Sequence, residues 1–314
     1  MREGKVAVIT RTKNRELLLW RAMWSVAGQT YRNLVWVIVN DGGRTEEVEV
    51  IANEGRIQGL EVVVIHHPES KGMEAASNAG IRAVDTEYIL IHDDDDTLEP
   101  TFLEETTSFL KHEPLYAGVI THTLLVKEEL DEKQATTREC YGFNTWLRSV
   151  YLMEILMVNS FPPISFLFKR TAYNTIGGYD ETLPVLGDWD FNIRFLTKYD
   201  IGVIPKLLAR YHQREGISDA QNNYGNTVVA GQDKHIRYDA ILRNRYLRQE
   251  LDGTGSGIGL LANLAAMNSW QTAKFESVNS GKFLKGMNAI TELLLKKSSL
   301  VRRLKDKIKS SEAK

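Results

Sequence analysis

Between residues 6 and 91 the chain repeats one pattern: a short apolar run, a polar break, a stretch of helical period, then the next apolar run. Val6-Ala7-Val8-Ile9 is β-branched and closes on Thr10-Arg11-Thr12, as a strand covered on both faces does at its carboxyl end. Asn14 is placed to cap a helix in which Leu17, Leu18, Ala22 and Val26 recur at helical spacing, and Gly28 is placed to end it. Leu34 to Val39 is the second run, and it stops at Asn40-Asp41-Gly42-Gly43, which sets Asp41 at the strand's carboxyl end. A helix from about Glu46 leads to the third run, Glu61 to Ile65. After His67-Pro68, Lys71 to Val84 carries Ala75, Ala76 and Ala79 on one face and leads into the fourth, Tyr88 to Ile91.

Such alternation predicts an α/β fold, a mainly parallel sheet with helices on both faces, whose ligands bind at the carboxyl ends of the strands. His92-Asp93-Asp94-Asp95-Asp96 falls at that edge, directly after the fourth strand. Four like charges there repel one another unless something positive sits among them, and a divalent cation is the natural candidate. Beyond Pro100 the pattern gives a helix to Lys111, a strand from Gly118 to Val126 and a polar stretch from Lys127 to Arg138. Phe166-Leu167-Phe168 reads as a buried strand, Gly177-Gly178-Tyr179-Asp180 as a turn, Asp188 to Tyr199 as a helix and Ile201 to Ile204 as a strand.

From Gln221 the pattern is helical, broken by Gly253, Gly255, Gly257 and Gly259. The tail from Lys282 sets Phe283, Met287, Ile290, Leu293 and Leu294 against lysines and arginines, a basic amphipathic helix. It suits packing on the catalytic domain or on a second subunit, as in a homo-oligomer. It also suits peripheral contact with an anionic membrane surface, and the reading leans to membrane or partner contact.

A net charge of -2 and a pI near 6.4 argue against a nucleic-acid partner, which would call for a basic excess. The single cysteine, Cys140, forms no internal disulfide and no multi-cysteine zinc site. With no apolar stretch near the ~18 residues of a membrane span and no signal-peptide core at the N-terminus, a cytoplasmic protein is expected, at most peripheral at the membrane's inner face.

The ordered set of Thr10-Arg11-Thr12, Asn14-Arg15, Gln29-Thr30-Tyr31 with Asn33, Val37 to Gly42, Lys71-Gly72 with Asn78-Ala79-Gly80-Ile81, the acidic loop, Gly177 to Glu181 and Gly187-Asp188-Trp189-Asp190-Phe191 resembles the family 2 glycosyltransferases. Their catalytic domain has the GT-A, Rossmann-like nucleotide-diphospho-sugar transferase fold. The resemblance covers roughly residues 5 to 218, so residues 1–218 are expected to form the catalytic domain and 219–314 a C-terminal helical extension.

The resemblance implies that Thr10, Arg11 and Asp41 line the base and ribose pocket, with Thr12, Lys71 and Asn78 in the same nucleotide-sugar site. Asp93-Asp94-Asp95 would be the D-x-D motif: Asp95 on a Mn²⁺ or Mg²⁺ cofactor, Asp93 on the ribose or a metal-bound water, Asp94 the variable middle. A hard cation takes carboxylate oxygens and the donor's phosphates, and neutralises charge on the departing diphosphate. His212 is a candidate metal ligand and Arg214 a candidate diphosphate contact.

The second acidic motif of the family reads Glu-Asp, and here glycine stands first, as Gly187-Asp188. Asp188 then matches the general base that takes the acceptor hydroxyl's proton in an inverting transfer. A cap on the following helix is its bland alternative, and Asp190 is read as a cap or a partner of Arg194. Trp189 would be a sugar-stacking face or plain core. The expected activity is transfer from a nucleoside-diphosphate sugar to a saccharide or lipid-linked acceptor hydroxyl, in surface polysaccharide or glycolipid assembly. The rivals are a retaining transferase and a non-catalytic nucleotide- or sugar-binding module of the same fold. A nucleotidyltransferase is disfavoured because the first strand ends without the glycines that cradle a triphosphate.

Overall fold

The four apolar runs form β1 (Arg2–Thr12), β2 (Leu34–Asp41), β3 (Glu61–His67) and β4 (Thr86–Asp93), paired in parallel in the order β3-β2-β1-β4. The computed structural model describes residues 2–130, 135–214 and 232–267. One face of this half-sheet (Val8, Trp36, Ile38, Leu90) packs on α1 (Glu16–Ala27), α2 (Glu46–Ile57) and α4 (Phe102–His112) through Leu19, Met23, Val48, Ile51 and Phe102. On the other face lies α3 (Met73–Arg82), held so close that a Cβ on Gly80 would stand 2.5 Å from Ile9 Cγ2 and 3.1 Å from Val39 Cγ2. Glycine at that point is what lets the helix reach the sheet.

The sheet continues through β8 (Phe166–Lys169), antiparallel to β4, then β6 (Tyr116–Leu130), antiparallel to β8, and β9 (Asp200–Arg214), parallel to β6. The two-residue β5 (Thr97–Leu98) closes this edge against β9, and β7 (Ala135–Gly142) pairs off the end of β6. The result is one mixed sheet, wholly parallel from β3 to β4 and mixed beyond it. Phe166, Phe168, Phe191 and Phe195 form an aromatic cluster under α7 (Gly187–Leu196), between the short α5 (Leu152–Met157) and α6 (Arg170–Ile176).

Three local readings change. Asn14 does not cap α1: its backbone turns left-handed (φ 52°) and its Oδ1 accepts from the Arg44 amide at 2.8 Å, so it ties two loops together and the helix starts at Glu16. The polar stretch from Lys127 to Arg138 begins in the end of β6 and runs into β7, whose residues are all exposed and so leave no apolar alternation to read. β9 runs to Arg214, well past Ile204, because its outer half is polar and pairs with the charged end of β6.

Residues up to Ala262 form one compact unit and Asn263–Lys314 a second. The first unit includes α8 (Gln232–Leu251), which was expected to lie in the extension. Arg243 on α8 donates to the Leu156 and Ala262 carbonyls, 2.8 Å each, and lies 4.7 Å over the Trp189 ring. Arg245 and the Tyr246 hydroxyl reach Asp190 at 3.2 and 2.6 Å. The segment 219–231 and the basic tail from Lys282 lie outside the described residues. Among the described residues no helix is long and apolar enough to cross a membrane.

Because Gly80 has no room for a side chain, Gly80→Val is expected to lose more than ~1 kcal/mol through overpacking against Ile9 and Val39, read as a lower urea midpoint with unchanged slope.

Candidate active site

Arg11 and Asp93 are register partners at the carboxyl ends of β1 and β4, so the sheet itself sets them side by side. Arg11 Nε donates to Asp93 Oδ1 at 2.9 Å, Nη2 donates to the same oxygen, and Nη1 reaches Ser77 Oγ on α3 at 3.2 Å. Asp93 keeps 28% of its side chain exposed, the most open carboxylate of the acidic run for which a salt bridge is formed.

The positive charge among the remaining acids is supplied by the protein. Arg15 donates to Asp94 at 2.9 Å and to Asp95 at 3.2 Å. Arg214, fully buried, donates to Asp95 and, at 2.7 Å, to Glu128 on β6. Arg21 takes both Glu128 oxygens at 2.8 and 3.0 Å and also the Asp95 carbonyl. His212 closes the cluster: its amide donates to Asp96 at 2.9 Å, and its ring nitrogens meet Glu128 at 2.9 Å and the Thr97 hydroxyl at 3.0 Å. Repulsion within the loop is therefore relieved by arginines from α1 and β9, and the step from four aspartates to a cation loses its force.

The loop's acids are driven apart. Burial pushes Asp94 up to about 6, with Arg15 opposing, and burial together with the Asp95 charge pushes Asp96 well above the usual range. For Asp95 burial is outweighed by Arg15 and Arg214, which hold it well below that range. Glu128 is held at about 2, its burial outweighed by the bonds from His212 and Arg21.

Several expected ligand contacts are bound up in the fold. Asp41 accepts from His67 Nδ1 (2.7 Å), Ser70 Oγ (2.7 Å) and the amides of Lys71 and Gly72 (2.9 Å each), two bonds on each oxygen. It folds the Ser70–Gly72 loop over the end of β2, and these bonds outweigh burial to lower its pKa. Lys71 joins through its amide, its side chain exposed. Thr10 is buried, its hydroxyl accepting from Trp36 Nε1 at 2.8 Å and lying 3.4 Å from His92 Nδ1. Thr12, also buried, stands beside Asp94. Asn78 pins the Gly177–Glu181 turn: Nδ2 donates to the Tyr179 carbonyl (2.9 Å) and Glu181 (2.8 Å), and Oδ1 accepts from the Tyr179 amide (3.0 Å) and Tyr173 (2.8 Å).

Asp188 sits in the first turn of α7, just after Leu186, a non-glycine residue held at φ 65°. Its Oδ2 accepts from Asn159 Nδ2 at 2.7 Å and its Oδ1 from the Trp189 amide at 2.8 Å, and no side-chain cap bond closes the helix end. Burial raises its pKa, and Arg11 and Asp93 are near enough to act on it electrostatically. Trp189 is core, its Nε1 donating to the Ile155 carbonyl, and Asp190 pairs with Arg194 at 2.7 Å.

No group of three or more His, Cys, Asp or Glu side chains among the described residues is arranged to hold a metal. A Mg²⁺ or Mn²⁺ at a nucleotide site needs only one or two carboxylates besides the phosphates. Asp93, partly open, and Asp95, kept ionised by its arginines, fit a site of that kind. His212 has both ring nitrogens engaged by Glu128 and Thr97.

The sequence profile of Glycosyl transferase family 2 matches residues 7–175. The chain belongs to that family. It is an enzyme, a glycosyltransferase. It is similar to the uncharacterized glycosyltransferase YwdF of Bacillus subtilis (23% identical over 236 residues, 74% of this chain and 81% of that one). It is also similar to the PGL/p-HBAD biosynthesis glycosyltransferase of Mycobacterium bovis (28% over 231 residues, 71% and 80%). Among solved structures the fold is shared with the mannosyltransferase PcManGT from Pyrobaculum calidifontis in complex with GDP-Man and Mn²⁺ (TM-score 0.57, 16% identity, 95% of this chain and 82% of that one). It is shared too with S. aureus TarS 1-349 in complex with UDP-GlcNAc (TM-score 0.56, 18% identity), where the match covers 68% of this chain and 60% of that one.

In this glycosyltransferase Arg21 and Glu128 join the site without having been singled out from sequence, and Arg15, which the sequence offered only as part of the ordered motif set, joins it as the partner of Asp94 and Asp95. Glu128 faces Arg214 only through the β6–β9 register, and no local motif announces that pairing.

Glu128 carries a testable consequence. Its folded pKa of about 2 lies below the ordinary 4.5, so its contribution, about 3 kcal/mol, is present above pH 4.5 and lost as the pH falls towards 2. Glu128→Gln should lose about 3–5 kcal/mol at pH 7, because buried Arg214 is left with Asp95 alone to balance its charge and Arg21 loses its carboxylate. The gap from the parent should narrow as pH falls from about 4.5 to 3, read from guanidinium midpoints across that range.

Proposed function

We propose that this glycosyltransferase moves a sugar from a nucleoside-diphosphate sugar to an acceptor hydroxyl with inversion at the anomeric carbon, dependent on a divalent metal. The observation that carries the reading is the nearness of Asp188 to the Arg11–Asp93 pair at the carboxyl ends of β1 and β4. Donor recognition falls to the strand ends, where Arg11, braced by Asp93 and Ser77, presents a fixed cation. Asp93 and Asp95 would hold the Mg²⁺ or Mn²⁺, which when bound neutralises charge on the departing diphosphate. Arg214, enclosed by Asp95 and Glu128, acts by fixing Asp95.

Asp188 takes the proton of the attacking hydroxyl. Asn159 and the Trp189 amide fix its two oxygens, so its orientation does not depend on a glutamate at position 187. Burial raises its pKa, which strengthens it as a base. Before Asn159 the chain exposes Trp146, Tyr151, Met153 and Val158, an apolar border that favours an acceptor with an apolar part, such as a lipid-linked saccharide in glycolipid or surface-polysaccharide assembly. The basic tail would bring the enzyme to the inner face of the membrane that carries such an acceptor.

Thermal stabilisation by UDP, UDP-GlcNAc, GDP and GDP-mannose, with and without Mn²⁺, tests the donor site. The parent should be stabilised selectively and with metal, and Asp95→Ala should lose the metal-dependent part. The absence of a metal-dependent shift with any nucleotide would overturn the metal-dependent reading. Asp188→Asn should keep the donor shift while sugar transfer falls by about 10²–10⁴-fold; transfer within threefold of the parent would remove Asp188 as base.

A further inference from the structure

Gly187 is the one position where the chain departs from the acidic pair expected before α7, and the structure shows what fills the space. A Cβ built on Gly187 would overlap the Glu74 carboxyl group, standing 2.6 Å from its Cδ. Glu74 comes from the first turn of α3, an element remote in sequence, and lays its carboxyl group against the Gly187 backbone. A side chain at 187 and the observed Glu74 carboxyl group exclude each other.

Glu74 is 4% exposed, and its Oε2 is buried without a hydrogen-bond partner. Such an atom carries a desolvation cost that packing does not repay, and polar groups left in that state concentrate where a ligand completes them. The charged groups that act on it are Arg11 and Asp93 on the donor side and Asp188 on the base side. Burial, with the Asp188 charge adding, pushes it up to about 7 against the pull of Arg11. The carboxyl group therefore lies between the two stations that a donor sugar has to bridge.

We infer that Glu74 contacts the donor sugar, its Oε2 taking a sugar hydroxyl beside Asp188, and that Gly187 is glycine to admit it. This rests on the donor site proposed above. The Arg11–Asp93 pair serves the nucleotide end and Asp188 the acceptor, while Glu74 addresses the sugar alone. Its loss should change the preference for nucleotide-sugar over bare nucleotide, and leave the nucleotide's own affinity intact.

The test compares Kd for UDP with UDP-GlcNAc, and for GDP with GDP-mannose, in the parent, Glu74→Ala and the double variant Glu74→Ala/Gly187→Glu. A hydrogen bond to a charged or buried carboxyl group is worth about tenfold or more in affinity. In Glu74→Ala the diphosphate should bind within about twofold of the parent, while the nucleotide-sugar weakens by about tenfold. The double variant, which returns a carboxylate to the same space from the other side, should regain at least half of that loss on a logarithmic scale.

An unchanged ratio of the two affinities in Glu74→Ala overturns the inference, as does equal weakening of both ligands, which marks Glu74 as packing. Should Glu74→Ala fold poorly, Glu74→Gln keeps the shape, and the same ratio decides. If the parent binds none of the four ligands, the donor-site reading fails and takes this inference with it, an outcome distinct from a parent that binds and a ratio that does not move.

Discussion

The buried contact of Arg214 with Asp95 and Glu128 holds the site's geometry together, because it joins the two halves of the sheet at their ligand-binding edge. Asp95 follows β4, Glu128 ends β6 and Arg214 ends β9, and Arg15 and Arg21 bring α1 into the same cluster. Separating any one of these elements strands a charge in a site closed to water, at several kcal/mol. That penalty fixes the acidic loop to within a hydrogen bond of the α1 arginines and the β9 histidine, and it does so across strands that no tight turn connects. A site assembled from distant segments needs such a device, since hydrophobic packing alone sets distance but not orientation.

The polar groups of the site divide by whether the protein satisfies them. Asp41 and Asn78 spend their capacity on shaping loops: one folds Ser70–Gly72 over the end of β2, the other pins the Gly177–Glu181 turn under the second acidic motif. Glu74 Oε2, Asp94 Oδ2, Asp96 Oδ2 and the His92 Nε2 nitrogen are buried without a partner. For Asp94, Asp96 and His92, burial favours the neutral form, which lowers the cost of enclosing them. Asp95, between Asp94 and Asp96, is held ionised because two guanidiniums outweigh its burial. The loop thus sets a strongly anionic carboxylate between two acids that resist ionising.

The parallel half of the fold was legible because β1, β2 and β4 are buried on both faces along most of their length, and an unbroken run such as Leu34 to Val39 has no other comfortable place in a globular domain. β7 was not, since a strand exposed along its whole length leaves no periodicity. Position at the end of β4 announced the acidic loop, whereas Arg11 and Asp188 were singled out by the family resemblance. Glu128 and Glu74 could not be found that way: each acts through an element whose neighbour is fixed only by tertiary register, Glu128 by the β6–β9 ladder and Glu74 by the seating of α3 under α7. Asn14 misled for a related reason, because a side chain suited to capping one helix was worth more to the chain as a tie to Arg44.

The same closeness of α3 explains why two glycines far apart in sequence matter to one helix. Gly80 lets the helix sink onto Ile9 and Val39, and Gly187 lets the carboxyl group from its first turn pass beneath α7. A larger residue at the first would lift the helix and withdraw Glu74; a larger residue at the second would refuse Glu74 entry even with the helix in place. Leu186, held left-handed just before Gly187, adds backbone strain at that crossing, and strain of this kind persists only where the surrounding contacts over-determine it. The contacts that do so here are the Asn159 and Trp189 bonds to Asp188 and the α8 residues Arg245 and Tyr246 on Asp190. By holding Asp190, α8 keeps in place the first turn of α7, which carries Asp188 and packs on Glu74 through Gly187.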